Sequence, residues 1–299
     1  ETYLQLEDAY KQRGEYSEAM KVDFKTLQLF EKQEDVEGIA KIYTRICDLL
    51  YYQQKYDEGV DYCQKAIDIQ NKLNVPNDLA VSYRYKADNL LILEKYQEAL
   101  NTINQAITVL KNVGSSEIEI APNYNTRGNI YKYLERYDEA VEEYQKCYRI
   151  AKASNNARGI IPALGNIGHV YRLKGSYEES IPYILEAIAF MKDSGNTQNL
   201  AENYMHAAAS YKATGNYEQA LKFQELYTDE KIDNLSTIVE QLETELQIKY
   251  ETAKKNETIE SQEAQIDRQK RIQLLYFGIA LLLAIILLGM YFTIKNNRK

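Results

Sequence analysis

The sequence predicts an all-α chain: a solenoid of about six helix-turn-helix repeats, then a long coiled-coil helix running into one transmembrane helix. Three observations carry this. Gly (13) and Pro (4) are scarce for 299 residues, whereas sandwiches, barrels and collagen-like chains spend far more of both on turns. A short tyrosine motif recurs at steps of 40, 40, 41, 40 and 40 residues. After its last copy no Gly or Pro occurs between Leu226 and Gly278, and the run Leu274–Ile294 is free of charge.

The repeats come first because a fixed period determines the architecture. The motif reads GEYSEA, QKYDEG, EKYQEA, ERYDEA, GSYEES and GNYEQA, with markers Tyr16, Tyr56, Tyr96, Tyr137, Tyr177 and Tyr217. Six residues before each marker stands a large side chain: Tyr10, Leu50, Leu90, Tyr131, Tyr171 or Tyr211. Nine before it stands a small one, Cys47, Ala87, Gly128, Gly168 or Ala208, with Glu7 the exception in the first unit. Three after it comes Ala19, Gly59, Ala99, Ala140, Ser180 or Ala220. Small residues at facing positions let two antiparallel helices approach, with aromatics filling between them. Ala140 is therefore expected opposite Gly128. Segments such as YDEAVEEYQKCYRIAKA carry a 3.6-residue apolar stripe, and VPND, VGSSE, SNNARG and DSGNTQ break the helices between units. The 27 tyrosines follow from this packing choice.

This pattern resembles the tetratricopeptide repeat family over residues 1–226. It departs in its 40-residue step, its missing Trp, its poor first unit, and Tyr227 where the other units have a small residue. The last departure predicts that the sixth second helix does not end like the others. The whole order, with the segment ELQIKYETAKK after the repeats, is similar to membrane-bound tetratricopeptide sensor proteins of Bacteroidetes-type bacteria, of the histidine-kinase or helix-turn-helix output type. That resemblance implies repeats outside the cytoplasm, in the periplasm, a single span of the inner membrane, and an output region beyond Lys299. The chain opens with Glu1 inside a helix pattern and is read as a fragment or a processed form.

Residues 227–273 are expected to form the connector. Ile232, Leu235, Val239, Leu242 and Leu246 alternate in steps of 3 and 4, a seam suited to a parallel homodimer; the alternative is one amphipathic helix folding back to cap the solenoid. Residues 274–294 run 21 positions without a charge, enough at 1.5 Å per residue for the roughly 30 Å of a bilayer, so a lipid bilayer is an expected partner. Residues 295–299 form a basic juxtamembrane start. Arg268, Lys270 and Arg271 on one side balance Lys295, Arg298 and Lys299 on the other, and charge alone leaves orientation open.

In the family the first helices line a concave groove, with groove-facing positions fifteen, twelve, eight and five residues before each marker. These hold Asp8, Lys11, Thr44, Asp48, Tyr51, Arg84 and Asp88 in the first half, then Asn125, Asn129, Lys132, His169, Arg172, Met205 and Lys212. Asn129 and nearby Asn166 match the family's habit of using an amide to bond the N–H and C=O of an extended peptide. Lys132, Arg172 and Lys212 suit a carboxylate. The expected ligand set is Arg84, Asn125, Asn129, Lys132, Asn166, His169, Arg172 and Lys212, with a peptide or protein as partner; the alternative is a solvated polar face. His169 is expected to be exposed and His206 to belong to the core. Cys47 and Cys63 face each other within one unit and are expected to be small buried thiols, a bridge being the alternative.

Net charge is −8, which speaks against nucleic-acid binding by this region. No GxGxxG, P-loop, GxSxG, HExxH or kinase motif occurs, so neither catalysis nor a cofactor or metal is expected. The reading is the sensor and protein-interaction region of a single-pass membrane signalling receptor; the alternative is a membrane-anchored scaffold that tethers partner proteins.

Overall fold

The structure, a computed structural model, describes the backbone of residues 2–195 and 199–296 and the side chains of 5–156, 159–195, 199–233, 235–236, 239–240, 242–244, 246–279, 281 and 289. Among these residues there are helices and no strands. Five complete helix pairs are α1 Thr2–Gln12 with α2 Tyr16–Lys32, α3 Val36–Tyr52 with α4 Tyr56–Leu73, α5 Pro76–Ile92 with α6 Tyr96–Asn112, α7 Glu117–Tyr133 with α8 Tyr137–Ala153, and α9 Ala157–Leu173 with α10 Tyr177–Asp193. The sixth is α11 Leu200–Ala213 with α12 Tyr217–Asn296. Every marker tyrosine is the first residue of a second helix. The chain forms two compact units, 1–230 and 231–299.

Within the first unit each helix packs on the next, and first helices also touch one repeat apart, as α3 does α5 and α5 does α7. The turns share one device. The residue two before each marker, Gly14, Gln54, Glu94, Glu135, Gly175 or Gly215, has positive φ. The following N–H then reaches back to the carbonyl of the large residue six before the marker, as Lys55 to Leu50 at 2.9 Å and Arg136 to Tyr131 at 2.9 Å. This is the left-handed helix stop, for which glycine has no steric cost. Three units use Gln or Glu there instead. Turns between units repeat the device at Glu34, Asn74, Gly114, Asn155 and Gly195. Helix starts vary: Asp35 accepts from the Gly38 N–H at 2.9 Å, Pro76 sits at the first turn of α5, and Ser116 with Glu119 forms a reciprocal capping box.

The aromatics fill the gaps as expected. Tyr171 stacks on Tyr183 at 5.6 Å and Tyr211 on Phe223 at 5.6 Å within their units, while Tyr16 stacks on Tyr52 at 5.0 Å and Tyr96 on Tyr133 at 5.9 Å between units. The small residue nine before the marker lies nearest the residue seven after it, and in the fifth unit also meets the one three after it, the Ser180 carbonyl oxygen being 3.4 Å from a Cβ built on Gly168. A Cβ on Gly128 would lie 2.7 Å from the Tyr144 ring, and one on Gly168 would lie 2.6 Å from Ile184. Ala140 is fully buried one turn away, in a cluster with Ile167 and Val170. At the same register Cys47 and Cys63 are bonded to each other, with Cα atoms 5.4 Å apart. This corrects the expectation of free thiols: two small side chains whose backbones approach so closely fall within bridging distance. Cys147 is a free, buried thiol that burial pushes up to about 12, so it is unreactive as a nucleophile.

The first unit explains its poor match. Glu7 is 2% exposed and Asp23 is fully buried, and the guanidinium of Arg45 on α3 pairs with Glu7, lies 2.8 Å from Asp8 and 3.8 Å from Asp23. The cation supplies what a small residue supplies elsewhere. Burial, together with the charges of Asp8 and Asp48, pushes Asp23 up to about 7.

In the second unit α12 continues to Asn296, 80 residues in all, as the absence of Gly and Pro predicts. Ile232, Leu235, Val239, Leu242 and Leu246 are exposed along it. The expected membrane span is overturned: among the described residues no helix is long and apolar enough to cross a membrane. From Leu274 the described side chains are those of 274–279, Leu281 and Gly289. Residues 280, 282–288 and 290–294 of the expected span, and the basic residues 295–299, have side chains outside the described set. The inner-membrane location, the periplasmic placement of the repeats and the bilayer as partner are therefore withdrawn.

Candidate functional site

The first helices bring the predicted groove residues into two cavities. The first, about 290 Å³, lies between α3, α5 and α7 and contains Arg84, Asn125 and Asn129 with Asp48, Asp88 and the tyrosines 51, 52 and 85. The second, about 710 Å³, lies between α7, α9 and α11 and contains Lys132, Asn166 and His169 with Gly165, Glu202, Asn203 and His206. A smaller apolar cavity of about 240 Å³ shares Pro122 and Asn125 with the first and Pro162 with the second. The amide of Asn166 donates to Asn125 at 3.2 Å, linking the two polar cavities across one repeat.

The first cavity holds its own charges in pairs. Arg84 lies 3.7 Å from Asp88 and 4.4 Å over the Tyr85 ring, a cation–π arrangement. Asp88 also accepts from the Thr126 hydroxyl at 3.0 Å, and burial pushes it up to about 6 against the pull of Arg84. Lys11 of α1 pairs with Asp48 and lies 5.2 Å over Tyr52. The Asn129 carbonyl oxygen accepts from the Tyr144 hydroxyl at 2.7 Å, so this amide is anchored to α8 and offers its NH2 to the groove.

The lining of the second cavity holds one cation, Lys132, one carboxylate, Glu202, and two imidazoles. Burial lowers the Lys132 pKa, with Glu202 acting the other way. His169 is half-buried rather than exposed, and His206, 7% exposed, lines the cavity as well as the core. Their rings are 5.2 Å apart. Burial first, then the charges of Lys132 and Arg172, push His169 down to about 4; burial, then Arg172 and His169, does the same to His206. Arg172 does not line the cavity; it is half-buried behind it, and its Nε has no hydrogen-bond partner. Lys212 is exposed and lines neither cavity. Sequence reasoning passed over Gly165 and Asn203, since a residue without a side chain carries no chemical signal and a buried Asn reads as packing. No group of three or more metal-ligating side chains occurs among the described residues.

Paired antiparallel helices at a fixed step, with polar cavities along the first helices, define an α-solenoid interaction scaffold. The family model described as Tetratricopeptide repeat matches residues 38–112, 119–191 and 159–229, more than half of the chain, and the chain belongs to that family. It is 32% identical over 96 residues to the Hsp70-Hsp90 organising protein of Plasmodium falciparum (isolate 3D7), which is 32% of this chain and 16% of that protein's length. Among solved structures, a Signal Transduction ATPase with Numerous Domains protein with a tetratricopeptide repeat sensor, from Pyrococcus horikoshii, aligns over 75% of this chain and 34% of its own at TM-score 0.65 and 21% identity. A Rap protein complexed with Competence and Sporulation Factor aligns over 77% of this chain and 74% of its own at TM-score 0.59 and 16% identity. At these identities the structural likeness shows the fold.

Proposed function

We propose that the repeat unit binds an extended peptide or protein segment along the first-helix face, with a carboxylate of the ligand at the Lys132–Arg172 end. The observation that supports it is the line of two polar cavities joined by the Asn125–Asn166 amide bond. Amides in such a line bond the N–H and C=O of an extended chain, and the half-buried Lys132 of the second cavity, with half-buried Arg172 nearby, attracts its negative end. The Rap protein complexed with a factor and the co-chaperone relative are consistent with a ligand-binding use of this fold. Lys132→Glu is expected to weaken an acidic peptide ligand by roughly tenfold or more, since truncating or reversing a buried charge partner costs more than one factor of ten, while a neutral peptide is little affected. Unchanged affinity for a verified acidic partner removes this end of the groove from the site.

A second reading concerns the connector. Ile232, Leu235, Val239, Leu242 and Leu246 are 47–62% exposed, at the 3-and-4 spacing of a two-stranded seam, and pairing with a second copy would bury them. Leu242→Asp is expected to convert a dimer to a monomer in sedimentation while the repeats stay folded. Single cysteines at 242 and 246 that never crosslink would sink the dimer. A sensor adds that ligand changes the crosslinking pattern; a scaffold leaves it unchanged.

A further inference from the structure

The second cavity is large because one groove position is empty. Twelve residues before the marker the other units carry Leu4, Thr44, Arg84, Asn125 and Met205, whereas this unit carries Gly165. A Cβ there would meet nothing nearer than the Asn203 side-chain oxygen at 3.8 Å. That oxygen is buried and has no hydrogen-bond partner, although Asn203 is only 7% exposed. A buried acceptor without a donor is costly; an N–H of a bound peptide can satisfy it, whereas a carboxylate, which only accepts, cannot and must sit nearer Lys132.

Two imidazoles stand beside it. His169 and His206 come from successive repeats, with rings 5.2 Å apart and inclined at 55°. The charged groups facing them are Lys132 from α7, Arg172 from α9, and Glu202 from α11, the last 3.8 Å from the His206 Nε2. Helices α8, α10 and α12 contribute no charged side chain to the described lining. Burial first, and then the net positive surround of two cations and one carboxylate, hold the pair neutral at neutral pH.

We propose that this cavity is a proton-coupled anion site: a ligand carboxylate entering through the gap at Gly165 cancels the repulsion from Lys132 and Arg172, and one proton is taken up by the histidine pair as it binds. The inference rests on the groove reading above and adds its regulation. The sign follows from linkage. The free pair stays neutral until well below pH 6, whereas an adjacent anion favours the charged form. Binding therefore takes up a proton, and affinity rises as pH falls, by at most tenfold per pH unit for one proton.

The test uses the full chain and an acetylated tetra-aspartate peptide, with tetra-asparagine as neutral control, at pH 7.5 and 5.5. The aspartates remain ionised across this window. Tetra-aspartate should bind about tenfold tighter at pH 5.5. Side-chain NMR of His169 and His206 should show their titration moving upward when peptide is added. His169→Gln with His206→Gln should abolish the pH dependence; this control also excludes Asp88 and Asp23, which titrate in the same range. Gly165→Leu should block binding at both pH values. Binding with equal affinity at both pH values, or a slope that survives loss of both histidines, overturns the coupling and leaves the groove intact. Failure of tetra-aspartate to bind at either pH, or binding indifferent to Gly165→Leu, overturns the anion site and the groove reading together.

Discussion

Arg45→Ala is expected to destabilise the first repeats by about 3–5 kcal/mol, the loss found when one partner of a buried ion pair is removed and the other is left. Here two carboxylates are left. Glu7 is 2% exposed and Asp23 fully buried, and Arg45 is the cation on which both converge. The loss should depend on pH with a definite sign. Asp23 is raised to about 7 in the folded chain from an ordinary value near 3.9, so the folded state binds the extra proton. Its contribution is present below the ordinary value and is lost as pH rises through about 7. Urea unfolding should show the Arg45→Ala deficit larger at pH 8 than at pH 5. Adding Glu7→Ala and Asp23→Ile, which copies the fully buried Ala87 and Ile103 of the third unit, should recover most of it. A deficit under about 1 kcal/mol at pH 8 would show that the carboxylates find other partners.

Tyr144→Ala is expected to cost a similar amount, about 3–5 kcal/mol, as large-to-small changes of aromatic residues in cores do. Tyr144 is the largest of the fully buried side chains, and its loss also frees the Asn129 carbonyl oxygen. The opposite error is made at its partner. Gly128→Ala places a methyl 2.7 Å from the Tyr144 ring, and the hydroxyl bond to Asn129 keeps the ring from retreating, so overpacking by about 1–3 kcal/mol is expected. Contacting residues do not add independently. The double change Gly128→Ala with Tyr144→Ala should therefore cost clearly less than the two single changes together in calorimetric or urea unfolding. Simple additivity would show that the two residues do not share one contact.

The period and the helix starts were legible because each marker tyrosine opens a helix and three of the six units place a glycine two residues before it. The left-handed residues Gln54, Glu94 and Glu135 were not, since their side chains give no sign of the backbone they adopt. The small residue nine before the marker was legible; its nearest partner was not, because the residue seven after it varies from Asp23 through Cys63 and Ile103 to Tyr144 and Ile184, and only the fold brings Cys63, Tyr144 and Ile184 to the same place. Glu7 read as a defect for the same reason: its compensation lies 38 residues on, at Arg45. In the groove, Lys132, Asn166 and His169 carried readable chemistry and do meet in one cavity. Lys212 carried the same chemistry and lies apart, and Gly165, which opens the space, carried none.

The matched pair at that register also constrains how such a chain can change over evolutionary time. The first five units fill this register each in its own way, with two acids, a disulfide, an Ala and an Ile, a Gly–Tyr pair and a Gly–Ile pair, the acids borrowing their cation from the next unit. Both halves of every pair lie within one span of 16 residues. Recombination that breaks the chain between units thus carries each solution intact, while a break inside a unit sets one unit's first half against another's second half, as Ala87 against Tyr144 or Gly128 against Cys63. Whole repeats can be duplicated, lost or exchanged with little disturbance at this contact, and single helices cannot. The first unit is the exception: it is bound to its neighbour by Arg45, and the two would have to be inherited together.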